Sequence, residues 1–247
     1  MTGTLYGLGI GPGDPELLTL KAHRVLGAAP VVAYPQPDTG PSFARSIVSQ
    51  YIREDRIEYP IIVPMRTERF PAKAVYDEAA RDLSVHLDEG RDVAVLCEGD
   101  PFFYGSFMYL YERLAQRYPC EVVPGVSSMM AGAAALGRPL AARNDILTVV
   151  PGTLPDEEIA TRLTMSDAVV IIKIGRHFNR IKSLLESLNL VARAGYLERI
   201  SLGEQRILPL SDMNADAPYF SMILIYKGAE DWVASWPMAG REHADAR

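Results

Sequence analysis

Short β-branched runs alternate with helix-length segments along the first half of the chain, and that alternation constrains the fold more than any other feature. "TLYGLGI" precedes residues 15 to 29, "PVVAYP" precedes 41 to 52, "IEYPIIV" precedes 72 to 89, and "DVAVLC" precedes 104 to 118. Strands that alternate with crossover helices predict a parallel α/β sheet. After "CEVVPG" the texture changes. A small-residue helix, "VSSMMAGAAALG", leads to "DILTVVPG", "DAVVIIKIG", "LVARAGYLE" and "YFSMILIYKG", with fewer and longer connections. The fold class expected is α/β in two domains: residues 1–123, then residues 124–247 with a more antiparallel tendency. The stretch "RTERFPAK" and the tail after Trp236 read as a loop and a frayed terminus.

The first strand runs into "GLGIGPGD", which carries Gly7, Gly9, Gly11 and Gly13. A dinucleotide fingerprint needs GxGxxG opening a helix. Counted from Gly7 the sixth residue is Pro12, and from Gly9 it is Asp14, so the pattern fails in both frames. A Walker loop fails as well, because Lys21 comes too late. What remains is a Gly/Pro-stiffened loop that a ligand can approach closely, followed by an Asp14 N-cap, Pro15 at the first helical position and Glu16 in the first turn. A tight strand-to-helix turn with no ligand fits the same residues. Two further loops follow strands in the same way: "LCEGDPFFYGSF", with Gly99, Asp100, Pro101 and Gly105, and "VVPGVSSM", with Pro124, Gly125, Ser127 and Ser128. Glycine loops at the carboxyl ends of strands would line one crevice of an α/β sheet, where ligands bind.

Composition narrows the classes. A net charge of −6 opposes nucleic-acid binding, which needs a basic face. The longest apolar runs fall short of the roughly 18 residues of a membrane span, and no basic-then-apolar leader opens the chain, so a cytoplasmic location is expected. Cys97 and Cys120 suit buried thiols better than a disulfide framework. The four histidines match no ligand spacing, so no protein-held metal is expected. Of the 25 basic residues, 20 are Arg and 5 are Lys. Arginine grips carboxylates bidentately, although a GC-rich genome explains the same excess.

"GLGIGPGDPELLTLKA", "VAVLCEGDPFFYG" and "VVPGVSS", in this order and spacing, resemble the S-adenosylmethionine-dependent tetrapyrrole methyltransferases, a family that acts in cobalamin and sirohaem synthesis. The resemblance covers nearly the whole chain. Within the family it is strongest, through "EGDPFFYGSFMYL", "PGVSSMMAGAAALGRPLAARND" and "VIIKIGRH", to members that methylate C20 of precorrin-2 in its metal-free or cobalt form. It implies a two-domain homodimer that binds S-adenosylmethionine and releases S-adenosylhomocysteine, with the cofactor folded into the cleft between domains. By position, Gly99, Asp100 and Pro101 would border its methionine and ribose, followed by Tyr104. Ser127 and Ser128 would help to hold it, and Ile174, Ser221 and Met222 would flank the adenine. The loop with Gly11, Pro12 and Asp14 would face the tetrapyrrole and the transferred methyl. At "YPQPDTG", which holds Tyr34 and Asp38, the chain departs from the family's variable pattern.

Methyl transfer from a sulfonium is an in-line displacement, so the protein must chiefly align the reacting atoms and exclude water. A proton must then leave C20, and Asp14 and Glu98 are the candidate acceptors. A cap competes with that role for Asp14, and a solvated loop carboxylate for Glu98. Tyr104 is a cofactor wall or core. The substrate's acetates and propionates need a locally basic rim, for which Arg138, Arg143 and Arg176 are the choices, each otherwise a surface arginine. Lys173, inside an apolar strand, either snorkels or touches a ligand. Methylation of another ring position, action on the diphthamide precursor of a protein, and a non-catalytic tetrapyrrole carrier remain alternatives.

Overall fold

The computed structural model describes residues 1–64, 70–213 and 216–228. Arg66 to Arg69 of the expected loop, and the tail after Trp236, lie outside the described residues. The chain divides into two compact units, Met1–Ser128 and Met129–Arg247.

In the first unit, strands β1 (Leu5–Gly9), β2 (Val31–Pro37), β3 (Ile57–Val63), β4 (Val93–Cys97) and β5 (Cys120–Val123) form one sheet in the order β3-β2-β4-β1-β5. Every pairing is parallel. Both faces are covered, as parallel sheets require. Leu5, Val93 and Val95 face helices α3 (Phe70–Asp88) and α4 (Phe107–Leu114), packing on Tyr76, Leu83, Phe107 and Leu110. Leu8, Val32 and Leu96 face α1 (Leu20–Ala28) and α2 (Phe43–Ile47).

Local chemistry trims the expected helices. Residues 15 to 29 divide into a 3-10 turn, Pro15–Leu17, and α1, because Asp14 caps the first and Thr19 Oγ1 caps the second by accepting from the Ala22 amide at 3.1 Å. α4 starts only at Phe107, after Gly105 has closed its turn. α3 starts at Phe70, so residues 70–73 are helix where a loop was expected.

In the second unit, β6 (Leu147–Pro151), β7 (Ala168–Ile172), β8 (Ala194–Glu198), β9 (Arg206–Pro209) and β10 (Ser221–Tyr226) form the order β6-β7-β10-β8-β9. Only β6 and β7 run parallel to their neighbour; the other pairings are antiparallel, as the texture change suggested. One face packs Val169, Ile171, Tyr196 and Ile223 on helices α6 (Asp156–Met165) and α7 (Phe178–Ser187). Toward the other face lies α5 (Ser128–Leu136), where a Cβ on Gly132 would sit 3.0 Å from Leu197 Cδ2. β9, a four-residue strand ending in proline, was not expected. The strand foreseen over 190 to 198 begins only at Ala194, after a 3-10 turn at Val191–Arg193.

Candidate functional site

β4, β1 and β5 are neighbours, so their parallel carboxyl ends bring the three glycine loops together at one edge of the first sheet. The loops are also stitched to one another through main chain. Gly99 N donates to Gly11 O at 2.8 Å, and Gly11 N donates to Gly99 O at 3.4 Å. A Cβ on Gly9 would lie 2.4 Å from the Gly125 nitrogen, and one on Gly125 would lie 2.0 Å from Gly99 O. No side chain fits either position. Gly99 itself adopts φ +66°, yet a Cβ there would meet nothing closer than 3.8 Å. Its constraint is conformational rather than steric.

Asp100 completes the stitching. Its Oδ1 accepts from Phe102 N at 2.9 Å within its own turn, and its Oδ2 accepts from Gly125 N at 3.1 Å across to the third loop. The resemblance has Asp100 border the cofactor, and in the structure both of its carboxylate oxygens hold main chain. Gly11, Pro12, Pro101 and Ser127 are buried, and Ser128 opens α5. Tyr104 is 43% exposed with φ +56°, which removes the core alternative.

The two candidate acids differ. Asp14 accepts from Glu16 N at 2.8 Å and caps the Pro15–Leu17 turn, so the cap is its observed employment. Glu98, half-buried at the end of β4, has its carboxyl pushed above the ordinary range by burial, opposed by its own backbone amide. Nearby Tyr76, 3% exposed, is pushed up to about 12 by burial, with a smaller contribution from the Glu98 charge. Cys97 is a fully packed thiol with a raised pKa from burial, and Cys120 is also free. Tyr34 is buried beside the Arg45–Glu58 ion pair, and burial first, then Glu58, raises its pKa. That places it in the packing of β2 and β3.

Register organises the second unit. Met222 of β10 pairs with Ile172 of β7, and Ser221 pairs with Glu198 of β8. Ile174, Ser221 and Met222 therefore gather at one edge of that sheet, with exposed Arg176 just beyond Ile174. Because successive strand residues face opposite ways, the side chains of Ser221 and Met222 lie on opposite faces. Lys173 is not inside a strand: it follows β7, exposed, with φ +56°. Arg138 also departs from expectation. It is only 5% exposed, its Nη1 lies 3.5 Å from Arg193 O, and it lines a pocket with Leu147, Ala168 and Tyr226 that is no larger than a water molecule. Those residues mark the opposite edge of the sheet from Ile174 and Ser221. Burial, helped by the neighbouring Arg193 charge, lowers the pKa of its guanidinium. Exposed Arg143, φ +47°, belongs to that far edge as well, in the 142–145 turn where Asp145 Oδ2 accepts from Tyr226.

A polar pair in the second core escaped sequence reasoning. Tyr196 Oη donates to Glu198 Oε2 at 2.5 Å, with both residues buried. The signal was legible in "GYLE", where a tyrosine and an acid two residues apart share one face of an otherwise apolar strand. Among the described residues no group of three or more His, Cys, Asp or Glu converges on a metal-sized point, and no helix is long and apolar enough to cross a membrane.

Comparison with known proteins gives these loops a context. The model of the Tetrapyrrole (Corrin/Porphyrin) Methylases matches residues 4–213. The chain is 43% identical over 235 residues to the cobalamin biosynthesis protein CobIJ of Mycobacterium tuberculosis, covering 92% of this chain and 46% of that protein, so it spans about half the length of that relative. It is 39% identical over 232 residues to a precorrin-2 C(20)-methyltransferase from Sinorhizobium, covering 90% of this chain and 95% of the relative. Among solved structures, the uroporphyrin-III C-methyl transferase of Thermus thermophilus complexed with S-adenyl homocysteine superposes with a TM-score of 0.66 at 27% identity, covering 91% of this chain and 98% of that one. The chain belongs to the tetrapyrrole (corrin/porphyrin) methylase family.

Proposed function

We propose that this protein transfers one methyl group from S-adenosylmethionine to C20 of precorrin-2 or its cobalt complex, in the building of the corrin ring. The observation that carries the reading is the match to the Sinorhizobium relative, which runs over nearly the full length of both chains. The strand-end loops fit such a cofactor. Gly9, Gly11, Gly99 and Gly125 keep side chains out of the place where the three loops converge, and Ser127 and Ser128 add hydroxyls beside them.

When bound, S-adenosylmethionine supplies an electrophilic methyl on a positive sulfur. Gly99, Asp100 and Pro101, with Ser127 and Ser128, would border its methionine and ribose, and Ile174, Ser221 and Met222 would flank the adenine. Tyr104, exposed and held in a left-handed turn, stands as a wall. Gly11 and Pro12 would face the tetrapyrrole, and the protein's main tasks would be to align its electron-rich meso carbon and to exclude water. Glu98 then accepts the proton that leaves C20. Burial raises its pKa, which makes it a better base than an ordinary carboxylate. Asp14, engaged as a cap, orients the loop beside it. Of the arginines, this reading gives the substrate carboxylate to Arg176, supported by the edge it shares with Ile174, whereas Arg138 and Arg143 lie at the other.

The reading extends to a cytoplasmic homodimer that holds no metal of its own, and sedimentation velocity tests the assembly. For the reaction, purified protein incubated with S-adenosylmethionine and precorrin-2 should release one S-adenosylhomocysteine per tetrapyrrole and add one methyl by mass spectrometry. Binding of both ligands without product would make the protein a carrier.

A further inference from the structure

The second unit keeps a carboxylate inside an apolar core. Glu198 is 8% exposed, Tyr196 0% and Ser221 6%, and all three belong to adjoining strands β8 and β10. A buried carboxylate is costly unless it is hydrogen-bonded. Here the Tyr196 hydroxyl donates to it at 2.5 Å, and Arg206 of β9 pairs with Glu198 in register. Ser221 stands opposite Glu198 in register on β10, and Tyr196 stands opposite Ile223, so Ser221, Tyr196 and Glu198 share one face of the sheet, where Ser221 Oγ donates to Pro218 O at 2.6 Å. The Pro218 carbonyl faces Gly175, lying 4.0 Å from where a Cβ would stand, next to Ile174. The buried Tyr196–Glu198 pair thus backs Ser221 across the ladder, and Ser221 in turn holds the segment that meets the turn after β7. For packing alone, phenylalanine and leucine would serve at 196 and 198 without the desolvation cost. This polar cluster lies beside Ile174 and Ser221, residues that the proposed function gives to adenine.

We infer that Tyr196 and Glu198 are positioning residues for the adenine end of the cofactor, fixing the Ser221 hydroxyl and the 218–222 segment from behind. This rests on the cofactor assignment proposed above, and the experiment separates the two. Binding of S-adenosylhomocysteine and of 5′-methylthioadenosine is measured by calorimetry on the full chain, its Tyr196→Phe variant and its Glu198→Gln variant, alongside the KM for the tetrapyrrole. Tyr196→Phe removes one oxygen and keeps the ring, and should weaken both adenosyl ligands by the same factor, about tenfold, leaving the tetrapyrrole KM unchanged. Glu198→Gln retains an acceptor for the Tyr196 hydroxyl and should stay within about threefold of the parent. Parent-like affinity in Tyr196→Phe, an equal rise in the tetrapyrrole KM, or a larger loss in Glu198→Gln than in Tyr196→Phe would overturn the inference. A parent chain that binds neither adenosyl ligand would overturn the cofactor assignment itself, and this inference with it.

Discussion

The two sheets present their candidate site residues in opposite ways. The first is wholly parallel, so every strand delivers its carboxyl end to one edge, and three loops meet there through main chain. The second is mostly antiparallel, so one edge collects the ends of β7 and β8 together with the starts of β9 and β10. Glycines shape the first edge by what they leave out. Side chains shape the second, through the Tyr196–Glu198 pair and the Ser221 hydroxyl that stands opposite Glu198 and holds Pro218 O. A site built on parallel strands repeats itself along the sequence as strand, glycine, helix. One built on antiparallel strands is scattered, and only register reassembles it.

The substitution that should break the first edge most completely is Gly125→Ala. Its Cβ would fall 2.0 Å from Gly99 O and 2.7 Å from Gly9 Cα, contacts that backbone cannot yield cheaply. We expect no measurable S-adenosylhomocysteine binding by calorimetry and a lowered melting temperature, reflecting an overpacking cost of about 1–3 kcal/mol or more. Gly99→Ala, with room for its Cβ but a left-handed backbone, should cost about 1–2 kcal/mol and keep weakened binding. Equal effects of the two would mean that the close approach is not what holds the loops.

Glu98→Gln should lower kcat roughly 100-fold while leaving cofactor affinity intact. In the parent, kcat should fall at low pH along a limb placed above the ordinary carboxylate range, and the variant should lack that limb. Stability should move the other way. A carboxyl whose folded pKa is raised contributes stability below its unfolded value and loses it as pH rises through the folded value. From about pH 4.5 upward the parent should therefore lose ground to Glu98→Gln in denaturant midpoint. A coincident pH–stability profile would show that the carboxyl is not held in a desolvated place.

Asp100→Ala leaves the Gly125 amide without its acceptor. The expected cost is about 1–3 kcal/mol, read as a weaker S-adenosylhomocysteine affinity of around tenfold. A smaller contrast sharpens the second edge. Arg176→Ala should raise the tetrapyrrole KM about 3- to 10-fold with an unchanged melting temperature. Arg138→Ala, which removes a buried guanidinium from the far edge, should lower the melting temperature and spare the KM. The reverse pattern would put the substrate at the wrong edge.

How much of this was legible follows from the same contrast. β1 to β5 stood out as β-branched runs, and the loops after β1, β4 and β5 as glycine clusters, because a buried parallel strand and a tight strand-end turn each leave a local mark. Asp14 as a cap was legible from Asp-Pro-Glu. The stitching of Asp100 to Gly125 was not, since it joins residues 25 apart. Lys173 was misread because β7 ends one residue before it, and an apolar Ile174 beyond disguised the left-handed turn. Arg138 followed a helix and looked like a rim residue, yet burial at the far edge is a property of β6, β7 and β10 together, and no local pattern carries it. β9 offered four residues and no period. Tyr196 and Glu198 share a strand face in plain sight, but their meaning depends on Ser221, which lies 23 residues beyond Glu198 in sequence and opposite it in register.

Position on the macrocycle is the central claim, and one measurement reaches it directly. The protein is incubated with S-adenosylmethionine carrying a carbon-13 methyl and with precorrin-2, in parallel with the cobalt complex, and the product is examined by NMR. The account predicts a single labelled methyl whose couplings place it on the C20 meso carbon. A label on any pyrrole carbon or on another meso position, or no label transferred to either substrate, would contradict it.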